Sequence, residues 1–139
     1  MTTTTTARHV TAYLIVPDSR GALDWYRDVF AAEPLMEPVV MDDGRVGHVE
    51  FRVGDTRLQM ADEFPEIGAV APNRDRSSVS FTVEVADVDA TYALAVERGA
   101  SGDRPPADQF YGARAATVRD PFGHRWTIQT PLAGDRAGG

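Results

Sequence analysis

The chain's only imidazoles are His9, His48 and His124, and it has no cysteine and no lysine. Those absences exclude a thiolate nucleophile, a thiolate-bound zinc or iron–sulfur centre and a disulfide. They also exclude a Schiff-base or P-loop lysine. Imidazole, carboxylate, phenol and guanidinium groups remain. His48 and Glu50 stand two apart in an alternating segment, so on a strand they share a face. They suit an acid–base pair or, with a third donor, a metal site. The plainer alternative is a pair of ordinary polar residues at a rim. Glu84 and Tyr13 are further candidates for proton transfer. No Ser–His–Asp arrangement, Gly-rich dinucleotide loop or deaminase signature is present.

These groups need a scaffold, and the 139 residues suggest one domain. A 42% hydrophobic and 25% charged composition is that of an ordinary globular chain. All 14 basic residues are arginine, against 21 acidic ones, and the net charge of −7 argues against a nucleic-acid partner. No run approaches the roughly 20 apolar residues of a membrane span. The polar start lacks a signal-peptide core, so the expected compartment is the cytoplasm. Residues 1–8 and 133–139 read as flexible tails.

Between the tails the chain repeats itself. The segment from Val10 to Asp18 matches the one from Val79 to Asp87, 69 positions on. Each is an alternating strand ending in Asp, a good helix N-cap. After Asp18, the residues Ala22, Trp25, Tyr26, Val29 and Phe30 form one helical stripe. A weaker stripe of Val88, Tyr92, Ala95 and Val96 follows Asp87, with Gly99 as its stop. Further strands are expected at 35–41, 46–53 and 57–61, then at 113–119 and 124–130. The turns between them are Asp43-Gly44, Gly54-Asp55 and Asp120-Pro-Phe-Gly123. Residues 101–108, with Pro105 and Pro106, read as a loop.

The fold class is therefore α+β: two tandem βαβββ modules forming a curved mixed sheet around a cavity, with the helices outside. Module one covers about 9–62, a linker 63–78, and module two about 79–132, within one domain at 9–132. Alternation places Leu14, Val16, Leu58, Met60, Val83, Trp126 and Ile128 under the helices. On the opposite faces lie Thr11, Tyr13, Gln59, Ser80, Thr82, Glu84 and Thr127. That mixed polarity suits a ligand cavity; a solvated outer sheet face is the alternative. Tyr13 can stack on a flat ligand, Tyr111 is placed at the cavity mouth, and Arg114 near the rim. Phe64 and Met60 are candidates to line the cleft under the linker. His124, directly after a tight turn, reads as structural, and His9 as exposed.

The chain resembles the vicinal oxygen chelate superfamily, which includes glyoxalase I, extradiol dioxygenases, fosfomycin-resistance enzymes and bleomycin-resistance proteins. Four stretches carry the resemblance: Tyr13-Leu-Ile-Val-Pro-Asp18, Ala22-Leu-Asp-Trp-Tyr-Arg-Asp-Val-Phe30, Gly44-Arg-Val-Gly-His48, and Tyr111-Gly112 leading to Asp120-Pro-Phe-Gly-His-Arg-Trp126. In the superfamily's metal-dependent members, two ligands come from each module's inner face. The resemblance puts those positions at Thr11, Gln59, Ser80 and Thr127. Only Gln59 is a residue type the superfamily uses as a ligand. Neutral hydroxyls are poor donors to zinc, iron or manganese.

The resemblance thus implies a cytoplasmic homodimer with no metal and no cofactor. Its cavity binds a small organic molecule, a drug or metabolite, as bleomycin-resistance-type proteins do. The expected ligand-binding residues are Thr11, Tyr13, Gln59, Ser80, Thr82, Tyr111, Arg114 and Thr127. The rival is an enzyme, a glyoxalase-like lyase or isomerase or a ring-cleaving dioxygenase. It would use a divalent metal held by Gln59, Glu50 and His48, or a metal-free acid–base reaction through Glu50, Glu84 or Tyr13, with His48 also a catalytic candidate. A third reading is a fold remnant that serves as an interaction module.

Overall fold

The computed structural model describes residues 5–73 and 75–133. Most of the two expected tails, 1–4 and 134–139, lies outside the described residues. Strand β1 (Tyr13–Val16) leads into helix α1 (Ser19–Phe30). The Asp18 side chain caps the helix by accepting from the Gly21 amide at 3.0 Å. Helix α1 buries Ala22, Trp25, Tyr26, Val29 and Phe30, the stripe expected from spacing, and Ser19 and Leu23 in addition. It ends at Ala31, a non-glycine residue in the left-handed region at φ 57°.

Four strands follow: β2 (Glu33–Pro34), β3 (Val39–Val40), β4 (Val46–Val53) and β5 (Thr56–Asp62). A 3-10 turn at Pro65–Ile67 lies in the connector. The second module contains β6 (Ser80–Glu84), α2 (Val88–Glu97), β7 (Ser101–Asp108), β8 (Ala113–Arg119) and β9 (Arg125–Pro131). The first sheet runs β1-β5-β4-β2, with β3 also on β4; the second runs β6-β9-β8-β7. In each, the first and last strands of the module pair in parallel: Tyr13 opposite Gln59, and Thr82 opposite Thr127. The other pairings are antiparallel. The curved layer is thus two sheets with matching connectivity.

Two expectations need correction. The strand expected at 35–41 shrinks to β3 at Val39–Val40, with β2 ending before it at Pro34, because Pro38 supplies no amide for a continuous ladder. The loop expected at 101–108 is strand β7. It is an edge strand paired only with β8, and its register slips around Arg104. Pro105 and Pro106 fit because they fall in the irregularity between Arg104 and Ala107, where neither is paired with β8. In α2, Val88 and Ala95 are buried, whereas Val96 lies on the exposed side.

The core lies between α1, α2 and the helix-side faces of the sheets. Leu14, Val16, Phe51, Met60, Val118, Trp126 and Ile128 are all buried in it. Met60 belongs to this core and not to a cleft wall. Tyr26 stacks on Phe51 with ring centroids 5.5 Å apart, and Phe30 meets Trp126 at 4.8 Å. Trp126 and Phe30 belong to different modules, so the core is shared across the repeat.

Asp120 organises the seam between the modules. Its Oδ2 accepts from Tyr26 Oη at 2.6 Å and Trp126 Nε1 at 2.9 Å. Its Oδ1 accepts from the amides of Phe122 at 2.9 Å and His124 at 3.0 Å. Each oxygen of this buried carboxylate therefore has two donors. Burial, then the Asp120 charge, pushes the Tyr26 phenol well above its ordinary pKa, so it stays a donor. The same turn closes at Gly123, φ 105°, where a Cβ would meet the Pro72 carbonyl at 2.9 Å. His124 Nε2 donates to the Ile15 carbonyl at 3.0 Å, the structural role expected for it.

Candidate functional site

The face of the first sheet opposite α1 brings together side chains from three strands. Register explains how. Tyr13 on β1 is opposite Gln59 on β5, and Gln59 is opposite Glu50 on β4. His48 is two residues before Glu50, so it returns to the same face. Tyr13 Oη is 2.8 Å from His48 Nδ1, and 3.3 Å from the Gly47 carbonyl. His48 Nε2 is 2.8 Å from Glu50 Oε2. Arg57 Nη1 is 3.5 Å from Glu50 Oε1, and the Gln59 amide also hydrogen-bonds this carboxylate.

An ionised carboxylate only accepts, so His48 Nε2 carries a hydrogen toward Glu50. In that neutral tautomer Nδ1 is an acceptor, and Tyr13 Oη is the donor to it. The His48 hydrogen bond, followed by His48 and then Arg57 electrostatics and the Gln59 amide, holds the Glu50 carboxyl below its ordinary range. Partial burial, then the Glu50 charge, raises the Tyr13 phenol. His48 and Glu50 are half-buried, while Tyr13 is 44% exposed. Solvent or ligand therefore reaches the chain at its tyrosine end.

Tyr13 also lines a cleft of about 570 Å³ beneath the connector. Ala12 and Ile15 of the β1 segment form one side, with Phe81 of β6 and His124. Val70, Pro72 and Arg76 of the connector form the other. A second cleft, about 740 Å³, runs between the β4–β5 turn and β6, and both Thr82 and Glu84 line it. Phe64 lines neither; its ring lies under the Arg45 guanidinium, 3.9 Å from Cζ to the ring centroid.

The remaining expected residues separate. Ser80 accepts from Arg125 Nη1 at 2.8 Å. Thr127 is opposite Thr82 on the open face of the second sheet. Thr11 is half-buried just before β1. Arg114 pairs with Asp89 of α2 at 2.8 Å and Asp108 at 2.9 Å, on the helix side of β8. Tyr111 is exposed beside Phe110 at the β7–β8 turn and is not among the cleft-lining residues. His9 is exposed.

The four positions Thr11, Gln59, Ser80 and Thr127 contain no carboxylate and no imidazole, so they do not fit zinc, iron or manganese. Among the described residues no group of three or more His, Asp or Glu is placed to hold a metal ion. His48, the one imidazole on this face, has both ring nitrogens engaged by Tyr13 and Glu50.

The sequence puts His48 and Glu50 on one face and groups them with Gln59, but it does not bring Tyr13 to them. The strand order β1-β5-β4, which sets Tyr13 beside these strands, is the missing step. Asp120 was read as a turn residue; its four donors come from the turn, the following strand and α1. Asp62, also missed, accepts from the Ser19 and Val46 amides, both at 2.8 Å, and pins α1 and β4 to the end of β5.

The profile of the Glyoxalase/Bleomycin resistance protein/Dioxygenase superfamily matches residues 6–128. The chain belongs to this superfamily. A protein of Mycobacterium tuberculosis named as uncharacterised is 30% identical over 124 residues, which cover 86% of this chain and 72% of that one. Among solved structures, a glyoxalase-related enzyme of Fulvimarina pelagi superposes with a TM-score of 0.69 at 19% identity, covering 93% of this chain and 95% of that one. TioX of Micromonospora superposes at 0.66 and 23% identity, covering 91% and 98%. At these identities the superpositions speak for the fold of the superfamily. No described helix is long and apolar enough to cross a membrane.

Proposed function

We propose that this superfamily member binds a small organic molecule, a drug or metabolite, in the cleft between β1, β6 and the connector, without a metal. The observation that carries this reading is the donor set at the superfamily's four ligand positions. Threonine, glutamine, serine and threonine there cannot hold a catalytic divalent ion. None of the four lines the cleft itself, which offers apolar wall from Ala12, Ile15, Val70, Pro72 and Phe81, with a few polar groups from Tyr13, His124 and Arg76. That is the composition of a small-molecule site. The reading includes a homodimer, supported by the exposed apolar Val39, Val40 and Met41.

A thermal-shift screen against antibiotics and aromatic metabolites, run in EDTA, tests it. A ligand at about one hundred times its Kd adds about 2.7 kcal/mol, enough to raise Tm by several degrees. At least one compound should do so, unchanged by the chelator. Stoichiometric zinc, nickel, iron or manganese in the dialysed protein would overturn the reading, as would a panel without a single hit. Light scattering reports the oligomeric state independently.

A further inference from the structure

The two modules allow an internal comparison. Register equates Tyr13 with Thr82, Gln59 with Thr127, and Glu50 with Thr117. Two residues earlier on the middle strands, His48 corresponds to Ala115. Arg57 corresponds to Arg125, and Arg52 to Arg119. At equivalent positions the arginines recur, but Tyr13, His48, Glu50 and Gln59 are matched by Thr82, Ala115, Thr117 and Thr127. The second sheet forms the same ladder with threonines and an alanine, so the fold does not require the Tyr13–His48–Glu50 chain.

We propose that Tyr13, His48 and Glu50 form a proton relay that selects a phenol-type ligand, an aromatic ring bearing a weakly acidic hydroxyl, in the cleft beneath the connector. This rests on the metal-free binding reading and names the ligand class. With Nε2 of His48 donating to Glu50, the Tyr13 hydrogen goes to Nδ1 at 2.8 Å in preference to the Gly47 carbonyl at 3.3 Å, which leaves the lone pairs of the phenol oxygen to accept. The Gly47 carbonyl beside it is also only an acceptor. The exposed end of the chain therefore seeks a hydrogen-bond donor. Phe81 and Ile15 supply the apolar wall against which a flat ring packs.

The transfer is balanced. The ligand O–H bond breaks as its proton passes to Tyr13 Oη, and the Tyr13 proton passes to His48 Nδ1. The ligand is left as a phenolate, accepting a hydrogen bond from Tyr13. The resulting imidazolium donates to Glu50, whose negative charge offsets it, with Arg57 on the carboxylate's other oxygen. Nothing is oxidised or reduced, and only O–H and N–H bonds change.

The test compares para-nitrophenol, whose visible phenolate band reports its ionisation, with para-nitroanisole, which lacks the hydroxyl. Wild-type protein is expected to bind the phenol about tenfold or more tightly than the anisole, and to show the phenolate band at a lower pH than free solution does. Tyr13→Phe should abolish the preference. Glu50→Gln should retain binding of the anisole but lose the downward shift of ionisation. Circular dichroism checks that both variants are folded. Equal binding of the two compounds, or a preference that survives both substitutions, overturns the relay. If neither compound binds while the thermal-shift panel yields other ligands, the relay falls and the metal-free reading stands. If the panel is also empty, both fall.

Discussion

At the scale of single residues, Asp120 and Glu50 put the same functional group to different uses. Asp120 is buried with four donors, and replacing it with alanine leaves those donors unpaired inside the core. Asp120→Ala should cost about 3–5 kcal/mol in urea unfolding. Glu50 sits on the open face, and its folded pKa is below its ordinary value. Its stabilisation is therefore complete above that ordinary value and disappears as pH falls through the lowered one. Glu50→Gln should lose less stability on acidification than wild type, measured by urea midpoints across the acid range. Both residues could be picked out from sequence, but their roles could not. A turn motif shows an aspartate that caps its own turn; it does not show that Tyr26, 94 positions away, donates to it.

At the scale of elements, Ala31 closes α1 with φ 57°. A Cβ in that region costs roughly 1 kcal/mol, which glycine avoids. Ala31→Gly should therefore stabilise the chain by about 0.5–1 kcal/mol, read as a higher urea midpoint at unchanged slope. Elements with strong periodicity were legible in advance. The α1 stripe, the Asp18 and Asp87 caps, and the β4–β5 hairpin all follow from local spacing. Strand β7 was not legible, because its only ladder is with β8 and its two prolines mimic a loop. The shortening of the strand expected at 35–41 to Val39–Val40 escaped for the opposite reason: an apolar run looks continuous until Pro38 interrupts its donors. The helix-side and open faces came correctly from alternation, since a period of two leaves only two choices. Which open-face residues touch depended on strand order, which alternation does not contain.

At the scale of the whole molecule, the modules are joined through side chains. Tyr26 reaches Asp120, Phe30 meets Trp126, Trp25 Nε1 donates to the Arg98 carbonyl at 3.0 Å, and Arg98 pairs with Asp28 at 2.6 Å. Neither half can bury its own aromatic residues alone. Unfolding should therefore be one cooperative transition, with tryptophan fluorescence and far-ultraviolet circular dichroism giving coincident urea curves. Separate transitions would show that the seam is weaker than the core. The unequal repeat sets how many ligands each chain holds. Two halves of like architecture would ordinarily suggest two equivalent sites and a binding isotherm with a stoichiometry of two. Because Tyr13, His48 and Glu50 have counterparts of threonine, alanine and threonine, calorimetry should saturate at one ligand per chain, and a homodimer should carry a pair.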